Sequence, residues 1–279
     1  TYASSEEYLR DIQTHNSLQQ TSGFPLWMDQ AKHTPFPFDQ VIINGLISMG
    51  QEHETRITSR IVRRQDNAIQ IFFARRMMGV ESDDLNVMEV LKHFRKQGVK
   101  IVNMSFGSSC GLLPQEEAQW ARAFKKYPDM IFVVAAGNSG ILVDEQPACP
   151  SFYSRENKNV ISVTAVNAAD QLASYYGTSV NFGRHVDVAI AADDLPVFVP
   201  LQHVNLWNNN PNGATSVAAA EISRILAEAI VDGYVIDPKV VKTQLQSTSR
   251  HVPQLEGSVK TSGVVDEVAF RNILQQKRK

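Results

Sequence analysis

The chain has 279 residues, of which 43% are hydrophobic and 20% are charged, and its formal net charge at pH 7 is −2. This composition excludes intrinsic disorder, which requires low hydrophobicity and a high net charge, and the presence of only two cysteines excludes a small disulfide-rich fold. The near-neutral charge gives no reason to expect nucleic acid as the main partner, because phosphate binding needs a basic face.

Predicted strands and helices alternate through most of the chain. A polar helix is expected at Ser4–Gln20, and a loop at Gly23–Phe38, where proline and aromatic residues concentrate. After residue 40, short β-branched apolar runs predict strands, and apolar residues at helical spacing predict helices. The strands are predicted at Val41–Ser48, Ala68–Ala74, Lys100–Met104, Met130–Ala136, Asn159–Val166 and Val186–Ala191. The helices are predicted at Glu52–Arg64, Leu85–Gln97, Gln115–Lys126, Ser216–Asp232 and Asp237–Ser247.

This alternation predicts an α/β fold with a parallel sheet sandwiched by helices, and such sheets bind ligands at the carboxyl ends of their strands. We expect residues 1–40 to be an N-terminal extension or remnant and residues 41–279 to form one domain. No apolar run approaches the roughly 20 residues that cross a bilayer, so no membrane span is expected. The first residue is Thr1 rather than Met, from which we expect a processed or shortened chain.

Three side chains stand where a parallel sheet places its ligands. Asn138 follows a buried strand, and its amide could donate to a developing oxyanion. Ser216 begins a helix after Gly213, where amides and the helix dipole favour negative charge. His53, also at a helix start, has the pKa range of a general base. Each residue also has a simpler interpretation, as a turn asparagine, a helix N-cap or a surface histidine.

Taken in chain order, four segments resemble blocks of the subtilisin-like serine proteases, the subtilases. His53-Glu54-Thr55-Arg56 is similar to the family's His-Gly-Thr-His, whose first histidine is the general base. The sequences VKIVNMSFG (99–107) and VVAAGNSG (133–140) resemble D-V-I-N-M-S-L-G and V-A-A-A-G-N-x-G. The sequence ATSVA (214–218) resembles the nucleophile block Gly-Thr-Ser-Met-Ala. The resemblance covers about residues 50–270, so residues 41–279 are interpreted as a subtilisin-like peptidase domain.

The resemblance implies a serine endopeptidase whose partner is a polypeptide substrate. His53 would take the proton of Ser216, and Asn138 with a backbone amide would hold the oxyanion. The family's substrate pocket would have walls of mostly small groups, suited to an apolar side chain, at Ser105, Phe106, Gly107, Ala135, Ala136 and Gly137. This chemistry requires no cofactor. Relatives often bind calcium, but the acidic pairs Asp83–Asp84, Asp144–Glu145 and Asp193–Asp194 lack calcium-ligand spacing. The resemblance alone favours a secreted or exported protein.

The aspartate that completes the family's triad is not at its usual place. The family writes it at the end of the first strand, where this sequence has Ser48. The aspartate could lie upstream, on another fragment of the same protein, or Asp11, Asp29 or Asp39 could serve instead. Alternatively there is no such aspartate, and the chain is a catalytically impaired pseudoprotease that binds a peptide or protein partner in the same cleft. Loss of this aspartate costs about 10⁴-fold in kcat, but some catalysis remains.

Other departures from the family leave further alternatives open. Ala214 replaces a glycine in a turn that could lack room for its methyl group, and Arg224 replaces a small residue. The predicted His53 helix carries Arg60 among several arginines, which could face solvent, an acidic partner or another part of the protein. Cys110 and Cys149 flank the expected pocket and could be free thiols or a disulfide.

Overall fold

The computed structural model describes residues 28–29, 41–47, 57–58, 60–61, 69–75, 87–192, 195–201, 204–210 and 214–276. The predicted helix Ser4–Gln20 and the candidate base His53 lie outside these residues. In the part of the chain that is described, no helix is both long and apolar enough to cross a membrane.

Nine strands form one central sheet, ordered β1-β3-β2-β4-β6-β8-β11-β15-β14. Six of the eight pairings are parallel, and only the two edge strands, β1 and β14, run antiparallel to their neighbours. The sheet strands are Met28–Asp29 (β1), Val41–Ile47 (β2), Ile69–Arg75 (β3), Ile101–Met104 (β4), Ile131–Ala135 (β6), Val160–Val166 (β8), Val188–Ala191 (β11), Ser249–His251 (β14) and Gly263–Val265 (β15). The predicted α/β sheet is therefore confirmed.

Helices cover both faces of the sheet. They are Val87–Lys96 (α1), Pro114–Lys126 (α2), Thr215–Val231 (α3), Val241–Ser247 (α4) and Glu267–Gln276 (α5), with 3-10 turns at Ser151–Arg155 and Pro253–Leu255. The hydrophobic core is therefore divided between the two faces of the sheet. The apolar side of α3 packs against one face of β4, β6 and β8, and α1 and α2 pack against the other. Because β6 is buried on both faces, its sequence is a continuous apolar run rather than an alternation of apolar and polar residues.

In the described part of the chain, three strand pairs lie outside the central sheet, and the sequence analysis predicted none of them. Leu195–Leu201 (β12) and Val204–Asn210 (β13) form an antiparallel hairpin, so the stretch before the expected nucleophile contains regular structure. Two smaller pairs are Ser108–Ser109 (β5) with Ala148–Cys149 (β7), and Ser174–Tyr175 (β9) with Thr178–Ser179 (β10). The predicted loop at Gly23–Phe38 is wrong at one point, because β1 within it pairs with the edge of the sheet.

Candidate active site

Two polar turns begin at the carboxyl ends of neighbouring parallel strands. Ser105 follows β4 directly, and Gly137-Asn138 follows the adjacent strand β6. Since parallel neighbours end at the same edge of a sheet, these turns lie side by side, at the edge where such sheets place ligands. The sequence therefore located this edge correctly.

Helix α3 brings Ser216 to the same edge. Its first residue is Thr215, and Ala214 is the flanking N-cap, with φ −117° and ψ 148°. Any L-residue adopts this extended conformation without strain, so the methyl group of Ala214 is accommodated. Ser216 occupies the second helical position and makes no N-cap bond, which rules out the simpler interpretation of this serine as the cap.

Ser216 and Ser105 are joined by reciprocal hydrogen bonds. The Ser216 hydroxyl donates to the Ser105 carbonyl oxygen at 3.3 Å, and the Ser105 hydroxyl donates to the Ser216 carbonyl oxygen at 2.9 Å. Ser105 is buried, and its Oγ also accepts a bond from Asn103 Nδ2 at 2.9 Å. Its side chain therefore orients the start of α3.

Asn138 supplies the cap that Ser216 does not. Its Oδ1 accepts bonds from the Thr215 backbone amide at 2.9 Å and from the Thr215 hydroxyl at 3.0 Å. A backbone amide can only donate, so this contact fixes which end of the side-chain amide faces the helix. The Nδ2 group is left pointing elsewhere, and no residue in the described part of the chain accepts a hydrogen bond from it. Asn138 thus does more than shape a turn.

The turn that carries Asn138 is braced by Asn181, a residue that sequence analysis missed. Asn181 is buried, and its Oδ1 accepts bonds from the Ser139 amide at 2.8 Å and the Ile141 amide at 3.1 Å. Its Nδ2 donates to the Ala136 carbonyl oxygen at 2.8 Å. Gly137 has φ 106°, and a Cβ on it would stand 2.4 Å from Asn181 Nδ2, so both the backbone angle and the space demand glycine.

Replacing Asn181 with alanine is expected to destabilise the protein by about 2 kcal/mol, because the buried Ala136 carbonyl and the amides of Ser139 and Ile141, whose bonds are partly buried, lose their partner. Urea unfolding measures this free energy. Asn167 is a matched control, since its Oδ1 also accepts bonds from two backbone amides, those of Ala169 and Gln171, but at an exposed turn. Water can replace those bonds, so Asn167→Ala should cost less than about 1 kcal/mol. Equal losses would contradict the bracing role.

A disulfide and a short strand pair lie in the region where the sequence predicts a wall of the substrate pocket. Cys110 and Cys149 are bonded, so neither of the chain's two cysteines is a free thiol. Strands β5 and β7 pair alongside this bond, and a Cβ on Gly107 would lie 3.0 Å from the Cys149 carbonyl oxygen. The Phe106 ring turns toward Trp120, with 5.8 Å between their centroids. Backbone atoms therefore form much of this wall.

The remaining triad candidates stay outside the described residues. This applies to His53, Ser48, Asp11 and Asp39. Strand β2, between β3 and β4, ends at Ile47 on the edge that carries the two polar turns. Asp29 lies in β1. Because β3 stands between β1 and β2, these two strands are about 10 Å apart, which is twice the usual strand spacing.

The possible calcium sites from the sequence gain no support. Asp83–Asp84 and Asp193–Asp194 lie outside the described residues. The Asp144 carboxylate accepts bonds from the Arg184 and His185 amides at 2.9 and 3.0 Å, so it holds a turn in a different segment of the chain.

Together these features define an α/β protein with a serine at a helix start and a side-chain amide fixed beside it. A sequence profile of the Subtilase family (Peptidase S8) matches residues 54–265, about three quarters of the chain, and the chain belongs to that family. None of the curated proteins matches the sequence significantly.

Solved structures share the fold at low sequence identity. The subtilase cytotoxin SubAB matches with 18% identity and a TM-score of 0.65, over 85% of this chain and 90% of that one. A lanthipeptide protease matches with 16% identity and a TM-score of 0.60, over 84% and 87%. MycP1 from Mycobacterium smegmatis matches with 15% identity and a TM-score of 0.60, over 83% and 79%.

Proposed function

We propose that the protein is a serine endopeptidase in which Ser216 is the nucleophile, His53 the general base and Asn138 an oxyanion donor. One observation carries the proposal: the Thr215 amide fixes the Asn138 side chain by its oxygen, which leaves the Nδ2 donor available beside Ser216. The Ser216 amide is a second donor of the right kind, since it belongs to the first helical turn, whose amides have no partner within the helix.

The proposed reaction is acyl transfer in two stages. Ser216 Oγ bonds to the scissile carbonyl carbon while its proton passes to His53, and the carbonyl oxygen becomes an oxyanion held by Asn138 and the Ser216 amide. The tetrahedral intermediate then breaks its C–N bond, and His53 returns the proton to the leaving amine. Water attacks the acyl-enzyme in the same manner, which releases the acid and restores Ser216. No cofactor takes part in either stage.

The helix start supports this chemistry energetically. Negative charge near the first turn of α3 is favoured by the helix dipole and by the Ser216 amide, which has no acceptor among the described residues. The Ser216 hydroxyl has only one described bond, at 3.3 Å to a carbonyl oxygen, so a stronger base can displace that contact at little cost. The substrate proposed for the site is an extended polypeptide with an apolar side chain beside the wall formed by Gly107 and Gly137.

A fluorophosphonate probe tests the proposal, because it reacts only with serines that are activated as nucleophiles. The folded protein should be labelled, and mass mapping of the digested adduct should place the phosphonate on Ser216. Heat-denatured protein controls for nonspecific reaction. If the folded protein stays unlabelled, the alternative is favoured, namely a pseudoprotease that binds peptides in the same cleft. A peptide-binding measurement would then follow.

A further inference from the structure

A buried ion pair joins two segments that are distant in the sequence. The helical residues 57–58 and 60–61, here called the Arg60 segment, place the Arg60 side chain inside the protein, where it is 1% exposed. Its Nε lies 2.7 Å from Oε2 of Glu221 on α3, whose side chain is 9% exposed. The expectation of a solvent-facing arginine is therefore wrong at this position, and Arg60 contacts another part of the protein.

Glu221 is shared between two guanidinium groups. While Oε2 faces Arg60, Oε1 accepts a bond from Arg224 Nη2 at 2.8 Å. Arg224 also bonds Glu228 at 2.7 Å and Glu267 at 2.6 Å, so its charge has several partners. Burial alone would lower the pKa of Arg224, but the bonds to Glu221 and Glu267 outweigh that effect and raise it.

Among the described residues, Arg60 has fewer charged partners than Arg224. Its Nη1 makes no hydrogen bond in the described part of the chain, and Glu221 is the only carboxylate there that pairs with it. The short contact is an ion pair rather than an aligned hydrogen bond, because Arg60 Nε and Glu221 Oε2 lack bond geometry with each other. A buried cation needs a compensating anion, so the placement of Arg60 depends on Glu221.

The two charges sit close in sequence to the two reacting groups of the proposed mechanism. Glu221 follows Ser216 by five residues on α3, and Arg60 follows His53 by seven residues. We propose that Glu221 is a positioning residue, whose carboxylate holds the Arg60 segment, and with it the chain that carries the candidate base, against the nucleophile helix. This inference rests on the proposed function for its catalytic consequence. The structural part of the inference, that Glu221 anchors the Arg60 segment, does not depend on the proposed function.

The choice of Glu228→Gln as a control isolates the Arg60 contact. Glu228 lies on the same helix and bonds the same Arg224, and it also bonds Arg271, but no contact joins it to Arg60 among the described residues. Both variants remove one negative charge from the same cluster with nearly unchanged shape. They differ in whether Arg60 keeps its anion.

Hydrogen–deuterium exchange and probe labelling test the inference on the full chain. In Glu221→Gln, amides of residues 57–61 should exchange at least about tenfold faster than in wild type, because the segment loses its buried anchor. Fluorophosphonate labelling should slow by about 10- to 100-fold, since small misplacements of catalytic groups have effects of that size. KM for a peptide substrate should stay unchanged while kcat falls. Glu228→Gln should leave the exchange at 57–61 and the labelling rate as in wild type.

Glu221→Asp is a second variant that tests the inference if Glu221→Gln does not fold. It keeps the anion but shortens the side chain by one methylene, so it should accelerate exchange at 57–61 less than glutamine does. The inference is overturned if neither variant accelerates that exchange, or if Glu228→Gln accelerates it equally. An unlabelled wild type would remove the proposed function, whereas the exchange data would still decide the positioning role. Labelling of Glu221→Gln at the wild-type rate would overturn the catalytic consequence alone.

Discussion

Ser216→Ala is expected to lower kcat for peptide hydrolysis by about 10⁶-fold, the size of loss known from subtilisin, a member of the same family. Without the hydroxyl no acyl-enzyme can form, and only the remaining donors and substrate binding can accelerate attack by water. Stability should hardly change, because the lost Ser216 hydroxyl makes one long hydrogen bond in a partly exposed position. Steady-state hydrolysis of a fluorogenic peptide measures kcat, and thermal unfolding measures stability.

Ser174→Ala is the matched control for this experiment. Ser174 is an exposed serine of the short β9–β10 pair, so its replacement removes the same atom without affecting the nucleophile helix. The variant should keep wild-type kcat and full probe labelling. If Ser216→Ala instead retained more than about a tenth of the wild-type kcat, another residue would have to be the nucleophile.

Asn138→Asp should lower kcat by about 10²- to 10³-fold or more, the range known for the equivalent loss in subtilisin, of the same family. The aspartate keeps two oxygens that can accept from the Thr215 amide and hydroxyl, so the capping bonds survive. It lacks the Nδ2 donor and places negative charge where the oxyanion forms. Catalysis should therefore fall with little loss of stability, as measured by peptide hydrolysis and urea unfolding.

Asn138→Ala separates the two roles of this side chain. It removes the donor and the cap together, so it should lower kcat by a similar factor and also cost about 0.5–2 kcal/mol of stability. If Asn138→Asp kept wild-type kcat, Asn138 would be a structural cap without an oxyanion role. If both variants lost stability equally, the Thr215 contacts would contribute little.

Periodicity in the sequence was sufficient to predict six neighbouring parallel strands of the central sheet, but not β1, β14 or β15. Strands such as Ile131–Ala135 are buried on both faces, and that environment selects continuous apolar runs, which are recognisable in the sequence. The turn glycine Gly137 and its neighbour Asn138 were also predictable, because the backbone there leaves few residue choices. Local constraints of this kind leave a signature in a short stretch of sequence.

The β12–β13 hairpin could not be predicted in the same way. Its first strand contains Pro196 and Pro200, which remove ladder donors and argue against a strand. Its second strand ends in Asn208-Asn209-Asn210, a composition typical of loops. Pairing between the two strands, rather than local propensity, decides this element.

The Arg60–Glu221 pair shows why charged helix faces are hard to interpret. The sequence does not distinguish an exposed arginine from a buried one, because tertiary packing decides which environment the side chain has. The partner lies 161 positions further along the chain, so no local pattern connects the two residues. The same limit applies to Asn181, which braces a turn more than 40 residues before it.

The disulfide between Cys110 and Cys149 has a consequence for a protein proposed to cut peptide bonds. Its two half-cystines are 39 residues apart, and the closed loop contains α2, β6 and the Asn138 turn. Gly111 and Leu112, just inside the loop, are exposed and therefore open to cleavage by neighbouring copies. A single cut there yields two polypeptides that the disulfide keeps covalently linked, so residues 1–111, which carry Ser105 and the proposed base His53, stay attached to the fragment that carries Asn138 and Ser216. Self-digestion at this point nicks the molecule without dismantling it.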